Sequence, residues 1–172
     1  MDTTKPLVNK VAQKALVTLN LEDYLPKEED IVVIDLKEYL FKGLILREAD
    51  FREAVKNANW QAYSSKYVSL YCSTDAIIPM WAYMVLAAQL APFAKEVAAC
   101  KPQDAAQVFL ERNIIAFNTT QFEGKRVIVK GCGDKPIDER AYLLIAQKLA
   151  KQVRAIMYGE ACSAVPLYKK VK

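Results

Sequence analysis

Three cysteines, Cys72, Cys132 and Cys162, are the residues of this sequence best suited to chemistry, and the chain has no histidine beside them. Cys72 stands in Tyr71-Cys72-Ser73-Thr74-Asp75, Cys132 in Gly131-Cys132-Gly133-Asp134 and Cys162 in Ala161-Cys162-Ser163. Each follows a stretch with the composition of a strand, and the first two precede a stretch with the pattern of a helix. Carboxyl ends of parallel strands share one edge of a sheet, where ligands are commonly bound, so thiols distant in sequence can meet there. A helix N-terminus would favour the thiolate. Thiolates are what soft metals and iron–sulfur clusters require. Three of them would hold a cluster with one iron open, or zinc with Asp75 or Asp134 as fourth ligand.

The spacing contains no Cys-x-x-Cys pair, and small buried cysteines at strand ends also fit the pattern. Cys100, which follows a strand where the corresponding later position is Gly159, reads as structural. The missing histidine removes Ser-His-Asp and Cys-His catalysis and every imidazole metal site. Asp75 and Asp134 suit a second role as helix N-caps, because a carboxylate accepts the unpaired amides of a first turn. Tyr83, Tyr142, Trp60 and Trp81 read as packing residues. Gly131-Cys132-Gly133 lacks the further glycine of a dinucleotide-binding loop.

The elements that must position these residues are legible in the pattern. Strands are expected at Ala15–Leu21, Asp30–Leu36, Tyr67–Tyr71, Glu96–Ala99, Arg126–Lys130 and Ala155–Tyr158, from their β-branched and aromatic composition. Helices are expected at Arg47–Asn57 and Gln103–Asn113, and from Asp75 and Asp134 onward, with Pro79 and Pro136 in or near their first turns. The last carries an apolar stripe at Ile137, Ala141, Leu144, Ile145, Leu149 and Val153. Residues 66–97 and 125–156 align without gaps at an offset of 59, and nine of the 32 pairs are identical. A repeated strand–turn–helix–strand unit follows from that match. Strand, helix, strand in succession gives parallel neighbours. The expected fold is therefore α/β, a mixed, largely parallel sheet with flanking helices. No long linker divides residues 1–172, so one domain is expected.

Composition agrees. Of the 172 residues, 53% are hydrophobic and 26% charged, which suits a globular chain able to bury its own core. Net charge is +4, and the basic C-terminus (Lys169, Lys170, Lys172) reads as a solvated tail, with no nucleic-acid partner expected. The start of the sequence has no basic region followed by an apolar stretch, so the four cysteines are expected reduced, in the cytoplasm. From Ala76 to Ala94 nineteen residues carry no charge. Pro79, Gln89 and Pro92 argue for a buried helix there, finished by a partner subunit in a homodimer, and against a membrane span.

Several stretches together carry a family resemblance: Leu7-Val8-Asn9-Lys10-Val11-Ala12, Leu19–Tyr24, Gly43–Glu48, Asp75–Pro79, Trp81–Met84, Lys130–Cys132 with Asp134–Pro136, and Met157–Glu160 through Tyr168. On these the chain resembles the bacterial family of unknown function DUF2480. The resemblance implies no activity. It does imply an association with iron–sulfur assembly proteins, whose genes neighbour those of the family. Three functions are therefore expected in turn: an accessory protein binding an iron–sulfur cluster or zinc, a scaffold dimerising through its apolar helix, and an enzyme with one thiolate nucleophile beside Ser73 and Thr74.

Overall fold

Runs of β-branched and aromatic residues become strands here, and each long apolar-periodic stretch becomes a helix over them. The computed structural model describes residues 16–131 and 133–171. In chain order the elements are β1 (Leu16–Leu19), β2 (Ile31–Asp35), β3 (Leu40–Phe41), β4 (Ile45–Leu46), α1 (Glu48–Asn57), β5 (Tyr67–Tyr71), α2 (Met80–Leu90), β6 (Glu96–Ala99), α3 (Ala105–Ala116), β7 (Arg126–Val129), α4 (Glu139–Ala150), β8 (Ala155–Tyr158) and β9 (Val165–Lys169). Among the described residues they fall into two compact units, one of residues up to 24 together with those from 113 onward, the other of residues 25–112.

In the unit of residues 25–112, β2, β5 and β6 form a parallel sheet in that order. Its middle strand buries Tyr67, Val68, Ser69 and Leu70 in succession, as expected of a strand covered on both faces. The one polar residue in that run is satisfied: the Ser69 hydroxyl donates to the Cys100 carbonyl at 2.8 Å. The core gathers Ile34, Leu36, Phe51, Val55, Val68, Leu70, Ala82, Leu86 and Leu90. The short antiparallel β3–β4 pair turns through Lys42 and Gly43, both at positive φ.

In the other unit the order is β1–β7–β8–β9, with the first three parallel and β9 antiparallel at the edge. Val127, Ile128 and Val129 are buried in β7, as are Ala141, Ile145 and Leu149 on the inward face of α4. The fold is thus mixed α/β with largely parallel sheets and flanking helices.

The β5–α2–β6 crossover of one unit and the β7–α4–β8 crossover of the other are both parallel, and their bounds run in step. The two first strands begin at Tyr67 and Arg126, the helices at Met80 and Glu139, and the second strands at Glu96 and Ala155, each pair 59 residues apart. Lys95 N donates to Lys66 O at 2.8 Å, and Arg154 N to Lys125 O at 2.8 Å. Ser65 and Gly124, at the same offset, both have positive φ. Positive φ is uncommon in a serine, so the shared turn geometry outweighs local preference at Ser65.

Two expectations are corrected. Asp75 does not cap α2, and Asp134 does not cap α4. The residue before a proline is pushed out of the helical region, so the chain stays extended through Pro79 and past Pro136. Pro79 itself, at φ −61° and ψ 140°, precedes the first turn of α2. The cap of α4 is Asp138, whose side chain accepts from Arg140 N at 2.9 Å. The apolar stretch is likewise only half-covered: α2 buries Ala82, Leu86 and Leu90 but exposes Met80 and Met84. Among the described residues no helix is long and apolar enough to cross a membrane.

Candidate functional site

At the end of each first strand the chain makes the same small turn. In β2 the Asp35 carboxylate accepts from Lys37 N at 3.0 Å, and at the end of β1 the Asn20 side-chain oxygen accepts from Glu22 N at 3.2 Å. Such turns suit Asp and Asn because their short side chains reach the amide two residues on. Both ends also clamp the loop that leaves the neighbouring strand. Asp35 accepts from Ser73 N at 3.0 Å, and Glu22 accepts from Lys135 N at 2.7 Å. The loop carrying Cys72 and the loop on either side of Cys132 are therefore each tied to a carboxylate.

Electrostatics follow from these bonds. The Lys135 amide, opposed by burial and joined by the Asn20 side chain, holds the Glu22 carboxyl below the usual carboxylate range. For Asp35, burial pushes upward, and the bonds from the Ser73 hydroxyl and the Lys37 and Ser73 amides outweigh it. A carboxyl depressed on folding contributes stability above its ordinary pKa, and that contribution is lost as pH falls through the folded value. We expect the Lys135 amide to keep its hydrogen-exchange protection down to the ordinary glutamate range and to lose it below. In Glu22→Gln the protection should no longer depend on acid pH.

The carboxyl ends of β1, β7 and β8 surround a cavity of about 360 Å³ lined by Asn20, Glu22, Lys130, Gly131, Gly133, Lys135, Tyr142 and Tyr158. This is the edge at which parallel sheets bind ligands. Tyr158 Oη donates to Gly131 O at 3.2 Å, and its ring stands edge-on to Tyr142 with centroids 5.7 Å apart. A β-carbon on Gly131 would lie 2.5 Å from Tyr158 Cζ, and one on Gly133 would collide with the Glu22 carboxylate. Gly131 thus leaves room for the Tyr158 ring, and Gly133 for the Glu22 carboxylate in the position it takes here. Glu22, Lys130 and Tyr158 were not among the expected site residues. The glycine pair was the signal for them, read as a close-contact requirement in place of a failed phosphate loop.

The expected ligands divide between the units. Cys132 lies outside the described residues. Cys162 is exposed in the connection from β8 to β9, which leaves the carboxyl end of a strand adjacent to β7. Its thiol is 4.0 Å from Ser163 Oγ. Cys72 belongs to the other unit, half-buried directly after β5, with its sulfur 3.4 Å from Thr74 Oγ1. It is not at a helix N-terminus as expected, because α2 begins only at Met80. Burial, and then the nearby Cys72, push the Tyr83 hydroxyl above its ordinary value. Asp75 and Asp134 are exposed. Cys100 is tied to Ser69 through both its carbonyl and its sulfur, at 2.8 and 3.5 Å. Among the described residues, which exclude Cys132, no three Cys, Asp or Glu side chains gather as a metal site.

A family model described as a protein of unknown function, DUF2480, matches residues 5–170. No curated protein and no solved structure matches the chain.

Proposed function

We propose that this chain, which belongs to the DUF2480 family, is an accessory protein that binds zinc or an iron–sulfur cluster through cysteine thiolates in a reducing cytoplasm and assists cluster assembly. Cys132 and Cys162 are its ligands, with Asp134 as a further donor. The observation that supports this reading is the setting of Cys132 in the sequence. Both of its neighbours are glycines, at the carboxyl end of β7, where a β-carbon would meet Tyr158 or Glu22, and the Cys162 connection leaves the adjacent parallel strand. The bonds on either flank, Tyr158 to Gly131 O and Lys135 N to Glu22, reduce the conformational entropy to be surrendered on binding metal.

Zinc titration against a competing chelator tests it. Cys132→Ser and Cys162→Ser should each weaken zinc binding by at least about tenfold, while Cys100→Ser should leave it unchanged. Equal affinity in all variants would remove the site. Cys72→Ser should also bind as the parent chain does, because the site belongs entirely to the unit that holds Cys132 and Cys162.

A second reading, a homodimer, is favoured by the outer face of α2. Ile77 just before the helix is 92% exposed, Met80 71% and Met84 70%, and no charged residue interrupts that helix. Exposed apolar surface of this kind marks contact with another protein. Met84→Lys is expected to shift sedimentation from dimer to monomer. A parent chain that already sediments as a monomer would end this reading.

A further inference from the structure

Strand β9 exposes all five of its residues, and two adjoining cavities of about 490 and 1030 Å³ run along it. Arg154 and Lys169 line both cavities, Arg126 lines the first and Lys170 the second. Glu123 is the single acidic residue among the linings. None of the four cations has an ion-pair partner among the described residues. Between the charges the strand presents apolar side chains, with Val165 57% and Leu167 56% exposed.

The backbone is also available. Among the described residues β9 pairs only with β8 and stands at the end of the sheet. Lys170 N donates inward to Arg154 O at 2.9 Å. Amides alternate sides along an antiparallel ladder, so Lys169 turns its own outward. Exposed strand edges recruit extended segments, with main-chain bonds supplying affinity and alternate side chains specificity.

We infer that β9 and its basic groove dock an extended acidic segment of another protein, alternating acidic and apolar residues, which adds to the sheet as a fifth strand. Charge complementarity selects this occupant. Residues 1–15 of the chain itself carry three lysines against one aspartate, and a second copy carries the same net +4. Both would be repelled by four cations. A nucleic acid would satisfy the charges but would have no use for the outward Lys169 amide or for the exposed Val165 and Leu167 side chains of the same strand.

The test is fluorescence anisotropy on the full chain, with a short labelled peptide alternating Glu and Val as probe. A Glu–Pro peptide of equal charge and an oligothymidylate serve as competitors. The Glu–Val peptide should bind more tightly than either and protect the Lys169 amide from hydrogen exchange. Joint Arg154→Glu and Lys169→Glu substitution should weaken it by at least about tenfold, with circular dichroism showing the fold intact. If that pair unfolds the chain, Lys170→Glu with Arg126→Gln tests the same charges. Equal binding of the Glu–Pro peptide would reduce the groove to a charge effect and overturn the inference. So would tighter binding of the oligothymidylate, or self-association that depends on the same cations.

Discussion

Phe51→Ala is expected to destabilise the chain by about 3–5 kcal/mol, measured as a fall in the urea midpoint at unchanged slope. Phe51 is fully buried on α1 and stands edge-on to Tyr39 at 5.2 Å and to Trp81 at 5.5 Å. Its ring is therefore the meeting point of α1, α2 and the turn after β2, and truncation removes contacts with all three. Truncating a fully buried aromatic also leaves a cavity that neighbours fill only in part. Phe51→Leu should cost distinctly less, because most of the volume remains. A loss below about 1 kcal/mol for the alanine variant would mean that this cluster collapses freely around the gap.

Gly131→Ala should cost about 1–3 kcal/mol and weaken metal binding as well. The added β-carbon meets the Tyr158 ring, which is held from behind by Tyr142 and bonded through its hydroxyl to the Gly131 carbonyl. The ring can yield only by giving up that bond and its edge contact. Tyr158→Ala in the same chain should restore zinc affinity, since it clears the space. Failure of that second change to restore binding would show that the glycine serves some other need of the loop.

Much of the fold was legible because buried strands and amphipathic helices leave periodic traces. Tyr67–Tyr71, Glu96–Ala99 and Ala155–Tyr158 were read at their observed bounds. The alternation in α4 predicted its buried face, with Ala141, Ile145 and Leu149 inward. The edge strand β9 was missed because Pro166 lies within it and no residue in it is buried. The two-residue strands β3 and β4 are too short to show any period. Helix starts were misplaced toward Asp75 and Asp134, since proline was credited with opening a helix when its stronger effect was on the residue before it.

The site was legible in part. Cys132 stood out, but the residues against its neighbours, Glu22 and Tyr158, come from the turn after β1 and from the end of β8. Their relevance is a matter of register, and register across parallel strands leaves no trace in local sequence. The Asx turns at Asn20 and Asp35 do have a local signature, a strand followed by a short amide or carboxylate. Read as clamps for the neighbouring loop, they would have pointed to Lys135 and Ser73.

The most direct measurement is the visible spectrum, with iron, zinc and sulfide analysis, of the full chain purified without oxygen. A thiolate site predicts either a brown protein with iron and sulfide or a colourless one with stoichiometric zinc. In both cases the metal should be lost in Cys132→Ser and retained in Cys100→Ser. A colourless, metal-free chain that also fails to take up iron and sulfide, or zinc, when these are supplied would contradict the account.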